Sequence, residues 1–160
     1  MKSFAQLVEE LKGTYIGVRF SDESLKILKD LQKMYKIPDP TPVSDMHSTV
    51  IYSRVPVDFP INDAVNEKVS REVQFHVFNT RDGKRALVLK IKSDYLTKRH
   101  ELGTELGATY DFPDYIPHIT LSYDVGDKNF STKPFKLEKD LVISKEYYEE
   151  LNLNWKQSKD

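Results

Sequence analysis

Two histidines in this chain are each followed, two positions later, by a threonine. His47 and Thr49 occur in SDMHSTVIYS (44–53), and His118 and Thr120 occur in PDYIPHITLSYD (113–124). Both stretches alternate as β-strands do, and side chains two positions apart on a strand project from one face. Each motif therefore presents an imidazole beside a hydroxyl. If the motifs come from related halves of the fold, all four side chains can converge on one cleft.

These four groups suit the cleavage of a phosphoester. A neutral imidazole can take a proton from an attacking hydroxyl or water, and an imidazolium can protonate the leaving oxygen. The pKa of histidine lies near neutrality, so both forms can exist together. The threonine hydroxyls can donate hydrogen bonds to the non-bridging phosphate oxygens, where charge develops. The sequence has no cysteine, no HExxH and no H-x-H pattern, so we predict that no metal and no cofactor is needed.

The charge balance bounds the size of the ligand. Twenty-four basic residues against 25 acidic ones give a net charge of −1. Proteins that bind long nucleic acids usually carry a basic excess, because phosphate neutralisation dominates their affinity. We therefore expect a small phosphorylated ligand and no long nucleic acid. With 160 residues, 39% of them hydrophobic, and no apolar run long enough to span a membrane, we expect one cytoplasmic domain that acts as a monomer.

The same order of elements precedes each motif. GTYIGVRF (13–20) predicts a strand with Ile16, Val18 and Phe20 on one face. Residues 21–37 predict a helix capped by Ser21 or Asp22, which the prolines of PDPTP (38–42) end. The apolar stripe of this helix is expected to consist of Leu25, Leu28, Leu31 and Met34 or Tyr35.

The second half repeats this order. RALVLKI (85–91) predicts a strand, and residues 94–106 predict a helix that ends near Gly107. Tyr15 and His47 are 32 positions apart, as are Ala86 and His118. We therefore expect two similar lobes, centred on 13–53 and 70–124, within a single domain over 1–160.

The remaining segments fit around these lobes. Residues 71–91 predict a β-hairpin with its turn at 81–84, and 54–68 form a polar loop that we interpret as a flap. Residues 134–144 predict short closing strands, and KEYYEELNLNWKQSKD (145–160) predicts a helical turn and a polar tail. The segment 135–160 is thereby expected to close the site. Residues 1–13 predict a short amphipathic helix.

The side chains outside the two motifs receive structural interpretations. His76 is predicted to be a hydrogen-bonded strand residue, and His100 to lie on a solvated helix face. The basic residues at 81, 84, 85, 98 and 99 are expected on the surface. Trp155 has to pack on something, either the lobes or a nucleobase.

The two motifs resemble the two-histidine (2H) phosphoesterase superfamily, whose hallmark is two H-x-[ST] motifs on strands of two pseudosymmetric lobes. Here they read MHSTV and PHITLSY, and the resemblance covers nearly the whole chain. It implies an α+β, bilobal, LigT-like fold with two antiparallel sheets, a central cleft and flanking helices. It also implies metal-independent cleavage of 2′,3′-cyclic or 3′–5′ phosphodiesters.

Within that superfamily the chain is most similar to the anti-CBASS phosphodiesterases of T4-like bacteriophages. GTYIGVRF, the central HSTV and EYYEELNLNW carry this similarity. It implies a viral hydrolase in the cytoplasm of the infected bacterium. Its substrates would be cyclic di- and trinucleotide signals such as 3′,3′-cyclic GMP–AMP, and their cleavage would silence host CBASS immunity.

The resemblance also implies roles for individual residues. The catalytic positions carry over onto His47, Thr49, His118 and Thr120. The substrate-binding positions carry over onto Tyr15, Glu149 and Trp155, although Glu146 and Glu150 compete with Glu149 for its position.

Two other functions use the same features. One is a 2′,3′-cyclic phosphodiesterase that acts on RNA ends or nucleotides. A basic trench in the cleft would favour this function, whereas nucleobase platforms from Tyr15 and Trp155 would favour a cyclic oligonucleotide as the substrate. The other is a non-catalytic protein that sequesters cyclic nucleotides, which would have no need of a paired acid and base. Which histidine is the base, and whether a ribose 2′-hydroxyl or water attacks, are left open by the sequence.

Overall fold

The computed structural model describes residues 12–152. The amphipathic helix predicted at the N-terminus, up to residue 11, and the position of Trp155 lie outside these residues. In chain order the elements are β1 (Gly13–Phe20), α1 (Asp22–Met34), β2 (Ser48–Ser53), β3 (Glu67–Lys68), β4 (Glu72–Asn79), β5 (Arg85–Lys90), α2 (Asp94–Glu105), β6 (His118–Ser122), β7 (Phe135–Lys136) and β8 (Val142–Leu151). None of the helices in this described part is long and apolar enough to cross a membrane.

The strands form two four-stranded sheets, each entirely antiparallel. The first has the order β2-β1-β8-β3 and the second the order β6-β5-β4-β7. The predicted α+β bilobal class is confirmed, and so is the hairpin at residues 71–91, where β4 and β5 flank the turn. The two H-x-T motifs belong to β2 and β6, the two strands that form one edge of each sheet.

The prediction of a helical turn after residue 145 is wrong. Residues 142–151 are strand β8, which pairs with the whole length of β1, from Gly13 opposite Leu151 to Phe20 opposite Ile143. The predicted closing segment is therefore divided between the sheets, since β7 pairs with β4 of the second sheet and β8 lies inside the first. The glutamates and tyrosines of KEYYEE are compatible with a helix or a strand. The segment forms a strand because β1 has a free edge with which it can pair.

The first helix begins as predicted and ends differently. Ser21 caps it by accepting a hydrogen bond from the Ser24 backbone N–H at 3.2 Å. Of the two alternatives for the end of its apolar stripe, Met34 is 74% exposed. Tyr35, the other alternative, packs edge-on against Phe75 of β4, with ring centroids 4.9 Å apart. The C-terminal end of α1 therefore contacts the second sheet.

Each helix contacts the sheet of the other half of the chain. The amide of Gln32 in α1 donates to the carbonyls of Thr41 and Leu121, the latter in β6, each at 3.0 Å. Helix α2 packs on β2 of the first sheet, where a Cβ on Gly103 would collide with the side chain of Ile51. This exchange of helices fastens the two sheets to each other.

A buried ion pair anchors α2 to the first sheet. The Glu146 side chain in β8 is 0% exposed and receives two bonds from Arg99 of α2, both 2.7 Å long. Its carboxylate also accepts the Tyr95 hydroxyl at 2.7 Å and the Asn62 backbone N–H at 2.8 Å. Arg99, expected on the surface, is thus a partly buried partner of Glu146.

The same arginine holds the loop that we interpreted as a flap. Arg99 donates to the carbonyl of Pro60 and stacks over the ring of Phe59, 4.5 Å from its centroid. The backbone N–H of Glu146 donates to the carbonyl of Asn62 at 2.9 Å. Residues 59–62 are therefore fixed to α2 and β8, which argues against a flap at this part of the loop.

Removing Arg99 is expected to destabilise the fold strongly. Arg99→Met leaves the Glu146 carboxylate buried without its counter-charge, which we expect to lower the free energy of unfolding by about 3 kcal/mol. Arg54→Met is the matched control, because it breaks the exposed pair with Asp111 and should cost much less. Urea unfolding measures both.

A double variant tests the cause of that loss. Glu146→Gln combined with Arg99→Met removes both charges but keeps an amide oxygen as acceptor for Tyr95 and Asn62, and it should recover most of the stability. If the double variant is no more stable than Arg99→Met alone, packing of the arginine stem, not the unpaired charge, explains the loss.

Candidate active site

The strands at which the two H-x-T motifs lie contact each other where the two sheets meet. His47 directly precedes β2, His118 is the first residue of β6, and β2 and β6 contact each other. We call this line of contact the seam, and the sheet faces that carry the motif side chains the motif faces. Burial raises the pKa of Tyr147 on the other motif face, and Tyr123, just after β6, is close enough to raise it further. The two motif faces therefore come together at the seam.

Tyr115 connects the motif strands directly. Its hydroxyl donates to the carbonyl of Thr49 at 2.7 Å, and Tyr115 is only three positions before His118. Its ring stacks on His100, with centroids 4.0 Å apart and planes 6° apart. His100 in turn donates through Nδ1 to the carbonyl of Val50 at 2.7 Å. The prediction that His100 lies on a solvated face is therefore wrong, since it is half-buried at the seam.

The segment that leads to His47 also pairs with β6. The backbone N–H of Thr41 donates to the carbonyl of Leu121 at 2.9 Å, and Pro40 forms a bridge with Ser122. Together with Tyr115, these bonds hold each motif strand to the chain that precedes the other motif.

The two imidazoles are held in the same way. His47 Nδ1 lies 2.7 Å from the carbonyl of Asp45, and His118 Nδ1 lies 3.0 Å from the carbonyl of Ile116, two residues earlier in each case. A carbonyl oxygen only accepts hydrogen bonds, so each Nδ1 must carry its proton. In the neutral ring, Nε2 then holds the lone pair and is available to a substrate.

The rest of each half follows the same pattern. Every residue of the second motif stands 71 positions after its counterpart in the first. In the first sheet Thr49 is paired with Gly17 of β1, and in the second Thr120 is paired with Val88 of β5, which also stands 71 positions after Gly17. The predicted internal repeat thus holds in the register of the strands.

Tyr15 lies beneath the first motif. Its hydroxyl is 3.0 Å from Thr49 Oγ1, and its ring is edge-on to His47, with centroids 6.1 Å apart. Only 8% of the residue is exposed, and this burial raises the pKa of Tyr15 far above its ordinary value. The phenol therefore stays protonated and can keep the Thr49 side chain in one orientation.

Strand β8 adds the next row of side chains. Glu149 is paired with Tyr15, and Tyr147 with Gly17, so both lie on the motif face. Glu150 alternates to the opposite face, and Glu146 is the buried partner of Arg99. Of the three glutamates that the sequence left open, Glu149 is the one whose register matches Tyr15.

The ring of Tyr147 packs against the backbone of β1 at Gly17. A Cβ on Gly17 would be 2.7 Å from its ring, which explains glycine at this position. The guanidinium of Arg19 lies 4.6 Å from the Tyr147 centroid and donates to the carbonyls of Ser44 and Met46 at 3.1 and 3.2 Å. Arg19 thereby fixes the turn that comes before His47.

The motif face of the second sheet carries residues that sequence reasoning did not assign to the site. They are Gln74, His76, Phe78 and Lys90. The alternation of Gln74, His76 and Phe78 was visible in the sequence, but its alignment with His118 depends on the order of the strands. Phe78 is 43% exposed on this face. Within residues 12–152 no three His, Asp or Glu side chains are grouped as a metal ion would require.

The model of the family described as anti-CBASS protein Acb1 matches residues 12–158. The chain belongs to this family. The anti-CBASS protein Acb1 of Salmonella phage S16 is 43% identical over 143 residues, which cover 89% of this chain and 91% of that protein. Acb1 of Enterobacteria phage T4 is 41% identical over 143 residues, with the same coverage of 89% and 91%.

Solved structures agree on the fold of this Acb1-family chain. LigT of Escherichia coli superposes with a TM-score of 0.53 at 11% identity, covering 87% of each chain. TT0787 of Thermus thermophilus gives a TM-score of 0.56 at 14% identity, covering 88% of this chain and 97% of that one. The predicted LigT-like fold is therefore confirmed.

The two motif imidazoles should share one tautomer. At a pH where they are neutral, we expect His47 and His118 both to carry the proton on Nδ1, since each Nδ1 faces a carbonyl oxygen. Nitrogen-15 chemical shifts of the ring atoms, recorded by long-range proton correlation, measure this directly. A neutral ring with its proton on Nε2 at either position would contradict this geometry.

Tyr15→Phe separates two roles for this tyrosine. The variant removes the bond to Thr49 but keeps an aromatic ring. If Tyr15 orients Thr49, kcat for phosphodiester cleavage should fall about tenfold, which is the scale of one lost hydrogen bond, and KM should change little. If it is a nucleobase platform, phenylalanine should replace it with little loss. Tyr148→Phe, on the other face of β8, is the matched control.

Proposed function

We propose that this Acb1-family chain is a metal-independent phosphodiesterase that opens the 3′–5′ bonds of cyclic di- and trinucleotides such as 3′,3′-cyclic GMP–AMP. It would act in the cytoplasm of a phage-infected bacterium and so relieve the phage of host CBASS defence. The observation that carries the proposal is the matched pair of imidazoles at the seam, each fixed through Nδ1 to a carbonyl two residues earlier.

This pair supports acid–base catalysis at a single phosphate. One Nε2 lone pair takes the proton of the attacking oxygen, either a ribose 2′-hydroxyl or water. The protonated Nε2 of the other ring gives its proton to the leaving 5′-oxygen as the P–O bond breaks. The proton gained by one imidazole equals the proton lost by the other, so water must exchange them before the next turnover.

The hydroxyls of Thr49 and Thr120 complete the site. Each lies two positions after its histidine on the same motif face, so both are suited to donate to the non-bridging oxygens of the same phosphate. Negative charge on these oxygens is greatest in the transition state, and donors that are already oriented stabilise it without reorganisation. The bond between Tyr15 and Thr49 supports such an orientation.

The surroundings of the motifs support a small nucleotide substrate. Tyr147, Glu149 and Phe78 lie on the motif faces and offer aromatic surface and a carboxylate that can accept from a nucleobase amine. Among the described residues, the cations on these faces include Arg19, Lys90, Lys136 and Lys145. Arg19 already binds two carbonyls, and the carboxylate of Glu149 on the same face opposes a continuous basic trench, which would favour an RNA-end enzyme.

The family relationship supports the biological role. The relatives from phages S16 and T4 are named anti-CBASS proteins, and at 43% and 41% identity this chain is expected to share their target. CBASS is silenced if its cyclic nucleotide signal is destroyed. A 2H fold with both H-x-T motifs intact is suited to such destruction, whereas simple sequestration of the signal would have no need of paired histidines.

The direct test is cleavage of 3′,3′-cyclic GMP–AMP by the purified protein in the presence of EDTA. We expect ring opening by the wild type, and a loss of at least about 10²-fold in kcat for His47→Ala and for His118→Ala, because each removes one proton transfer. Thr49→Val and Thr120→Val should lose about 10-fold or more, while Thr97→Val on the exposed side of α2 should lose nothing.

A short RNA that ends in a 2′,3′-cyclic phosphate serves as the competing substrate in the same experiment. Cleavage of this RNA alone would move the protein to the RNA-end function. Tight binding of the cyclic dinucleotide that survives replacement of both histidines, without cleavage by the wild type, would establish sequestration instead. Chromatography separates the products in each case.

A further inference from the structure

Lys90 stands beside the second motif histidine. It is the last residue of β5 and is paired with His118 on one side and with Gln74 of β4 on the other. Directly opposite residues of neighbouring antiparallel strands have Cβ atoms about 5 Å apart. An ammonium group is therefore carried on the motif face next to one of the two imidazoles.

The corresponding cation of the first sheet is already occupied. Arg19 stands 71 positions before Lys90, in the same place relative to His47, and its guanidinium binds Ser44, Met46 and the Tyr147 ring. Lys90 is intermediate in exposure, and in the described part of the chain its side chain makes no hydrogen bond and no salt bridge. An ammonium without a counter-charge beside the motif is a candidate to receive an anion.

His76 lies next to Lys90 on the same face. It is paired with Val88, one row along from Gln74. Burial lowers the pKa of His76, and the nearby charges of Lys90 and His118 lower it further. Its half-buried ring has no hydrogen-bond partner within residues 12–152, contrary to the hydrogen-bonded role that we predicted. The nearest carboxylate of β4, Glu72, is already paired with Lys92 at 2.9 Å.

We propose that Lys90, His76 and Gln74 form a second phosphate subsite beside the cleavage site. It would hold the phosphodiester of a cyclic dinucleotide that is not being cut. The proposal rests on the function proposed above, because a substrate with two phosphates in one small ring must place the second one near the first. The ammonium, an imidazole N–H and an amide NH₂ provide three donors on one face, which suits the oxygens of a phosphate.

The subsite gives a reason for selecting cyclic dinucleotides. A linear dinucleoside monophosphate such as ApG has the same 3′–5′ bond and neighbouring 2′-hydroxyl, but no second phosphate. Binding energy from Lys90 is then available only to the cyclic substrate.

The test compares these two substrates in four proteins: wild type, Lys90→Met, Lys90→Arg and Lys98→Met. Lys98 is exposed on α2, so its replacement makes the same change in net charge away from the subsite. We expect Lys90→Met to raise KM for 3′,3′-cyclic GMP–AMP about tenfold or more, the scale of a lost bond to a charged group. Lys90→Arg should restore most of the affinity, and Lys98→Met should match wild type. Constants for ApG, from turnover or competition, should not change.

The imidazole of His76 gives an independent readout in a protein that keeps Lys90, His76 and Gln74. A phosphate held between Lys90 and His76 places a negative charge beside an imidazole whose charged neighbours are otherwise positive. The pKa of His76 should therefore rise when the cyclic dinucleotide binds. NMR titration of its ring measures this with His118→Ala as the background, which prevents turnover. ApG should leave the pKa of His76 unchanged.

The outcomes distinguish the two proposals. If the wild type does not act on cyclic GMP–AMP, the proposed function fails whatever Lys90 does. If the wild type cleaves it and Lys90→Met weakens both substrates equally, Lys90 contacts the scissile phosphate and the second subsite is refuted. Unchanged KM in Lys90→Met for the cyclic substrate also refutes it. Circular dichroism melting shows whether the variant is folded in each case.

Discussion

The hydrogen bond from Tyr115 to the carbonyl of Thr49 fixes the distance between the two motif strands, and the rest of the structure depends on this distance. In the function that we propose, two imidazoles on two different sheets must approach one phosphate, and neither sheet alone can fix the distance between them. A bond that starts three residues before one histidine and ends two residues after the other sets that distance with few intervening torsions. Stacking on His100, itself bound to β2, limits the rotation of the tyrosine.

The exchange of helices extends the same constraint to the whole fold. Because α1 is bonded to β6 and α2 packs on β2, the two sheets cannot separate without exposing the apolar face of a helix. If α2 left the first sheet, the buried carboxylate of Glu146 would also lose its counter-charge, Arg99. Such an arrangement favours a rigid seam, and orientation of the reacting groups before substrate arrives is what acid–base catalysis requires.

Local patterns in the sequence predicted much of this, and long-range partners account for the rest. The prolines, caps and alternation foretold α1, α2, the hairpin and both motif strands, because each of these signals acts within a few residues. Strand β8 was not predicted because the side of it that faces the core carries Glu146. A glutamate indicates a polar face until Arg99, 47 positions away, is known to neutralise it. His100 was missed for the same reason, since the packing of α2 on β2 brings it to Val50. The neighbours of Lys90 depend on the order of strands.

That order also governs when each half can fold. All strands of the second sheet lie between residues 72 and 136, whereas β8 must enter the first sheet next to β1, more than 120 positions earlier in the chain. On the ribosome, the strands of the second sheet are therefore all made before the first sheet can be completed. Until residues 142–151 emerge, β1 has one open edge, and contacts of such long range form slowly. The half that carries His118 can thus serve as the template on which the half that carries His47 is assembled.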